Sequence, residues 1–309
     1  MNVHERPSAV RPASLLDKAD LDLPALKATS RTTLVIRAGT VFDGVGFEGD
    51  TTVALPDHLL PGTDYVVVLQ DGAAIARPAE TVPGNDVLGG FHFAPGGNAE
   101  ARAGGDDIPA INPCSLWDVR FRPACVDPRG MVLVEKPGGK FWCDIYLTGA
   151  DCHEGGTSRF GVTIADGDDR PMDPHGKRYR RFDYETAAAV LLGHGKGLLS
   201  LEEFFAAAFG VTERSAAGKD PVKTGLDAAR TSKFGVMQAT GNLWVWGHDG
   251  DPDTPRASLF GGLWWPDDDA GSRYAIVAYY WPDISPAISG RAAAVTTCNL
   301  LRRCGSSAA

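Results

Sequence analysis

From Thr33 onward, glycine, proline and aspartate cut the chain into short β-branched runs, and this punctuation is the strongest constraint on its fold. TLVIRAG, TVFDGVGF, TTVALP, DYVVVLQDG and AAIARP follow one another within fifty residues. Each has the length and composition of a strand and ends at a turn-forming residue. The spacing predicts a small all-β domain over residues 33–85, closed by the linker-like TVPGNDV. The 37 glycines and 21 prolines among 309 residues argue for turns and ordered loops and against a helical bundle.

Residues 1–32 mix proline and charge, with Leu15, Leu16, Leu21, Leu23 and Leu26 as their only apolar grip, and read as a poorly ordered or partner-docked tail. Residues 86–309 form the remaining unit. Here the strand-like RGMVLVEK, FWCDIYLTG and RFGVTIAD precede two helical stretches. YETAAAVLLGHG carries Ala and Leu at helical spacing and stops at glycines and Lys196. The second stretch opens on a capping box: Ser200 can accept from the backbone of Glu203, whose carboxylate can reach back. It is expected to run to Gly210, with a third short helix or turn after Gly225. Helices followed by a loop-rich β region predict an α+β class.

A net charge of −9 repels phosphate backbones and anionic bilayers, so nucleic acid is not an expected partner. No apolar run approaches the roughly 20 residues needed to span a bilayer, and the first residues lack the apolar core of an export signal. Membrane insertion and signal-directed export are therefore not expected. The six cysteines are scattered, with no C-x-x-C pair, and do not settle the redox compartment.

The second half carries a more specific signal. KGLLSLEEFFAAAFG, GLDAARTSKFGVMQATGNLWVWG, SLFGGLWWPDDDAGSR and ISGR occur in that order. Together they resemble the variable proteins of diversity-generating retroelements, a group that includes phage tropism determinants, and the match is collinear over about residues 88–295. GGFHFAPGG and INPCSLWDVRFRPACVDPRGM look like the region leading into that domain in phage receptor-binding members. The resemblance implies a C-type-lectin-like fold, related to formylglycine-generating enzymes, in which a fixed scaffold displays many alternative side chains. It also implies binding of a protein or cell-surface ligand, a virion or cell-surface location and, as in some phage members, a homotrimer.

Residue usage agrees. Residues 1–238 contain nine Lys, ten Glu, two Gln and four Met, and residues 239–309 contain none of the four. Even usage would place roughly seven there. In the resembling family, adenines of a template are randomised and favoured codons become NNC, which cannot encode Lys, Glu, Gln, Met or Trp, so the tryptophans of this segment belong mainly to the scaffold or to other codon types.

Between the fixed-looking LFGG, Trp264, AGSR and Pro282, the variable slots assigned to ligand binding are His248, Asp249, Asp251, Asp253, Leu263, Trp265, Asp267, Asp268, Tyr274, Ile276, Tyr279, Tyr280, Asp283 and Ser285. Trp244, Trp246 and Trp264 lie in scaffold motifs and are expected in the core. Large amphipathic rings such as Trp265 and the tyrosines give contact area at low entropic cost. The spacing of Asp249, Asp251 and Asp253 mimics the start of a calcium loop, but Thr254 stands at position six and Phe260 at position twelve, so the EF-hand pattern fails. The sugar-binding lectin motifs Glu-Pro-Asn and Gln-Pro-Asp are absent as well. His92, His153, His175, His194 and His248 show no zinc spacing. No catalytic residue, metal or cofactor is assigned.

Two alternatives stay open at this level: an oxidase of the formylglycine-generating type using Cys298 and Cys304, and a structural tail or fibre component. The family resemblance makes a prediction at the DNA level. A near-copy of the segment encoding residues 240–300 should lie beside a reverse transcriptase gene, with mismatches confined to adenines. Mismatches spread over all four bases would count against it.

Overall fold

The computed structural model describes residues 15–82, 86–123, 125–156, 158–166, 176–178, 180–251, 253–265, 269–279, 292–294 and 296–298. Within them the protein is mostly sheet with few helices. The runs read from the sequence form the strands Thr33–Ile36, Thr40–Phe42, Val45–Phe47, Thr51–Thr52, Thr63–Gln70 and Ala73–Pro78. Thr63–Gln70 and Ala73–Pro78 pair in register around Asp71 and Gly72, both at positive φ (52° and 79°). An Asp-Gly pair in that conformation makes the two-residue turn whose twist matches an antiparallel hairpin.

The tail reading fails from Leu15 onward. Leu16–Asp17 pairs with Thr40–Phe42, Leu26–Ser30 pairs with Thr33–Ile36, and Leu16, Ala25 and Leu26 are buried. The leucines of that segment were too few to suggest a core because their partners come from elsewhere in the chain. Lys18 completes the docking. Its ammonium reaches the Asp118 carboxylate at 2.7 Å with both side chains almost fully buried, and it donates to the Leu23 carbonyl at 2.6 Å. Asp118 also accepts from the backbone N–H groups of Ala25, Arg120 and Phe121, so its charge is fully hydrogen-bonded.

The sheet also runs across residue 85. Gly89–Ala94 pairs with Thr63–Gln70, and Ala110–Ile111 and Trp117–Asp118 pair with Gly89–Ala94, giving five strands in one sheet.

The hairpin formed by Met131–Lys136 and Gly139–Asp144 connects this sheet to the rest. Its alternation is apolar on both faces. Val132, Val134, Phe141 and Cys143 pack with Phe204 and Ala207, while Met131 and Trp142 pack with Val66 and Trp117 of the five-stranded sheet. Such two-sided burial is the pattern of a strand that faces core on either side. The hairpin begins an eight-stranded sheet that continues through Thr296–Cys298, Gly197–Ser200, Trp244–His248, Ala257–Phe260 and Ala275–Tyr279, with Ala292–Ala294 beside Trp244–His248.

The helices are Cys152–Gly155, Tyr184–Gly193 and Leu201–Ala207. Asp183 caps the second by accepting from the Thr186 backbone, and Ser200 with Glu203 forms the capping box at the third. The third helix stops at Ala207 instead of Gly210 because the Phe209 carbonyl accepts from Lys233 and the chain turns away. Ala228–Arg230 is a single 3₁₀ turn.

Replacing Asp118 with alanine should leave the Lys18 ammonium buried without its counter-charge. We expect a loss of about 3–5 kcal/mol in urea unfolding. Unchanged stability would show that the segment around Lys18 is not held in the body of the protein.

Candidate functional site

The candidate residues hang on three antiparallel strands, Trp244–His248, Ala257–Phe260 and Ala275–Tyr279. The first two are buried on both faces. Val245 and Phe260 lie toward the third helix, where Phe260 stacks on Phe204 with centroids 4.9 Å apart. Trp244, Trp246, Ala257 and Leu259 lie toward the second helix with Ala187, Val190 and Leu191. Interior positions of these two strands therefore have no surface to offer, and a ligand can meet only the loops at their ends.

Those loops lie at opposite ends. In the register His248 faces Ala257 and Val245 faces Phe260, so the 249–256 turn caps one end. Residues 261–274 cap the other, where Phe260 faces Ala275. A four-residue strand separates them by about 13 Å. The residues singled out in the sequence accordingly divide into two groups. His248, Asp249, Asp251 and Asp253 sit at the first end, which the backbone of Tyr279 also reaches; Leu263, Trp265, Tyr274 and Ile276 sit at or beside the second. Asp267, Asp268, Tyr280, Asp283 and Ser285 lie outside the described residues.

At the 261–274 end the backbone is heavily cross-tied. Gly261 donates to the Tyr274 carbonyl, Gly271 to that of Gly261, Gly241 to that of Gly261, and Gly218 to that of Trp264. Trp264 is half-buried against the core, whereas the neighbouring Trp265 is 61% exposed, with its ring 5.5 Å from that of Trp264. Tyr274 is half-buried and stacks on Trp244 at 5.4 Å with 28° between the rings. Leu263 and Ile276 are half-buried and pack on the core beside it. The aromatic content of this end is thus graded: Trp244 closed off, Tyr274 presented at its edge, Trp265 presented almost whole.

The acidic end is different in kind. Asp249 accepts from the backbone N–H groups of Asp251 and Arg256, and Asp251 accepts from those of Asp253 and Thr254 and from the Thr254 hydroxyl. Backbone hydrogen bonds from Thr254 and then Asp253 hold the Asp251 carboxyl below the usual carboxylate range. These carboxylates build their own turn, in the way short acidic side chains commonly do. Among the described residues no group of three His, Cys, Asp or Glu side chains is placed to hold a metal ion.

Local reading of the sequence overlooked the support beneath the 261–274 loop. Residues 213–218 lie under it, with Ser272 donating its backbone N–H to Glu213 at 3.0 Å and Ala217 donating to the Gly241 carbonyl at 2.7 Å. The two segments are 59 residues apart in the chain, and no local pattern links them. The histidine at 92 is a core residue: its ring bridges Asp64 and Tyr146, each at 2.9 Å.

The cysteines also bear on chemistry. Among the described residues, Cys114, Cys125, Cys143 and Cys152 are in no disulfide. Burial pushes the Cys114 thiol up to about 11, with the nearby Glu135 adding to the rise, and burial raises Cys143 well above its ordinary value. Cys298 lies in a strand beside Trp142, and Cys304 lies outside the described residues. A thiol with so high a pKa is about one-thousandth thiolate at pH 8, which suppresses nucleophilic reactivity. Mass-mapped labelling by a maleimide at pH 8 should therefore leave Cys114 unmodified long after the unfolded chain has reacted. Rapid labelling of Cys114 in the folded protein would contradict the buried environment.

Comparison with known proteins places this geometry. The family model described as the Mtd second domain matches residues 24–118, a stretch that crosses residue 85 as the five-stranded sheet does. The tail fiber receptor-binding protein of Bordetella phage BPP-1 is 38% identical over 322 residues, covering 88% of this chain and 82% of that protein. Among solved structures, the Major Tropism Determinant U1 variant aligns with a TM-score of 0.80 at 36% identity, over 92% of this chain and 85% of the other. The P3c variant aligns with the same TM-score at 37% identity, over 92% and 85%.

Proposed function

The chain belongs to the family of the phage Major Tropism Determinants, and from that membership we propose that it recognises a receptor on the surface of a host cell by binding alone, without a chemical step. In this reading the region from about residue 86 is a C-type-lectin-like scaffold whose loops carry the diversified side chains. The protein sits on the virion, and three copies assemble so that modest single-site contacts add up through multivalency.

The observation that carries the reading is the exposed Trp265 on a cross-tied loop. A large apolar ring held in water is costly unless a partner covers it, and tryptophan is the side chain most enriched among dominant binding contacts. The described residues around it are tied to one another through Gly261, Gly271 and Tyr274 and to neighbouring segments through Gly241 and Gly218, which lowers the ordering entropy lost on binding. Leu263, Tyr274 and Ile276 extend the contact from the same end. His248, Asp249, Asp251 and Asp253 would form a second, acidic patch, and Asp267, Asp268, Tyr279, Tyr280, Asp283 and Ser285 complete the proposed ligand-binding set without an assigned end. Because Asp249 and Asp251 already hold their own turn, that patch serves to orient a ligand rather than to anchor it.

Binding of the purified protein to a panel of intact bacterial strains would identify a strain that retains it. On that strain Trp265→Ala should weaken binding at least tenfold with no change in melting temperature. Trp246→Ala, by contrast, removes a fully buried ring and should cost about 3–5 kcal/mol of stability. If Trp265→Ala binds as the parent does, this end of the sheet is not the receptor contact.

A further inference from the structure

Beside Tyr274 a cavity of about 420 Å³ opens, lined by Arg102, Glu213, Arg214, Asp269, Ala270, Gly271, Arg273 and Tyr274. Three guanidinium groups there face two carboxylates. Of the two acids, Glu213 is hydrogen-bonded on both oxygens: one accepts from Arg102 at 3.1 Å and from the Ser272 hydroxyl, the other from the Ser272 backbone at 3.0 Å. Arg102 is fixed by that pair and by the face of Phe209, 4.3 Å from its guanidinium carbon. Gly271 makes the close approach possible, because a Cβ there would stand 2.2 Å from a Glu213 oxygen.

Arg214 and Arg273 differ from Arg102. Both are exposed, and among the described residues neither is in an ion pair. Arg214 also holds a backbone φ of 54°, a region that non-glycine residues enter rarely and at a cost. A larger cleft elsewhere, about 640 Å³ and lined in part by Arg129, Arg159 and Lys196, shows the contrast. There each cation is bound by its own aspartate: Asp127, Asp151 and Asp144 respectively.

We propose that the Arg214–Arg273 cavity is a subsite that takes a carboxylate side chain of a receptor protein, next to the aromatic contact at Tyr274. This deepens the receptor-recognition reading and rests on it. Each of these guanidiniums offers a planar fork matched to a carboxylate, and among the described lining residues three guanidiniums against two carboxylates leave one positive charge, which suits a single carboxylate better than a dianion. The subsite lies outside the acidic 249–256 turn by about the length of one strand, so the two patches of opposite sign would select a ligand with the reverse dipole and set its orientation. Arg102, Glu213 and Arg214 precede the 239–309 segment that lacks Lys, Glu, Gln and Met. They would give every diversified surface the same basic anchor point for an acidic ligand group.

The test uses the full-length protein at low salt over immobilised poly-L-glutamate, with immobilised dextran sulfate as the polyanionic glycan arm. The parent protein should bind poly-L-glutamate despite its own net charge of −9. The double variant R214G/R273A should bind at least tenfold more weakly, the glycine also relieving the left-handed backbone so that folding is not put at risk. Trp265→Ala should bind poly-L-glutamate as the parent does, which separates this subsite from the receptor contact tested above. No binding by the parent, equal binding by R214G/R273A, or preference for dextran sulfate would each overturn the proposal. Retained poly-L-glutamate binding with no cell binding would instead count against the receptor reading alone.

Discussion

The architecture depends on the two-sided burial of the 131–144 hairpin. Most strands of a sheet protein can leave one face in water, but here one face meets Phe204 and Ala207 and the other meets Val66 and Trp117. Trp142 and Trp117 are the largest side chains in that second contact, and Trp142 is fully buried. Burying a ring of this size contributes about 2–3 kcal/mol from area alone. Because the hairpin also starts the eight-stranded sheet, the same contacts tie the five-stranded sheet to it. Further ties cross the same junction, among them Asp64 accepting from the Gly130 backbone and His92 reaching Tyr146.

That junction determines what the far strands can do. Trp244–His248 and Ala257–Phe260 are closed off on both faces, so variation in their interiors would damage packing, whereas variation in the loops at their ends would not. A binding surface that must change its side chains without losing its fold has to occupy such loops. The two loops are not equivalent. The 249–256 turn satisfies the carboxylates of Asp249 and Asp251, whereas the other end is tied through the backbone of Gly261, Trp264, Gly271 and Tyr274 and leaves Trp265 outward. These ties run through Gly241, Gly261 and Gly271, where a Cβ would crowd neighbouring atoms, so they fix those positions while leaving the Trp265 side chain out of the bonding.

Much of the local structure was legible because it rests on contacts a few residues apart. The Asp71–Gly72 turn, the Ser200–Glu203 capping box and the Tyr184–Gly193 helix each follow from neighbouring residues. The core places of Trp244 and Trp246 were legible from their motifs, as was the departure of Trp265 from them. What local reading lost was long-range. Leu16 and Leu26 looked like a weak grip until Phe42 and Ile36 supplied the other half of each contact. The boundary suggested near residue 85 does not interrupt hydrogen bonding, because Gly89–Ala94 returns to Thr63–Gln70.

By itself, then, the sequence determined the kinds of element, their caps and turns, and through its collinear motifs the family to which the chain belongs. Only the tertiary structure decided that the candidate residues separate to two ends of one strand pair. It alone placed Arg102, Glu213 and Arg214 against a loop some sixty residues or more away in the chain. The physical reason is range. Propensity and capping act within a turn or two, whereas charge balance and exposure depend on which distant segments the buried hairpin brings together.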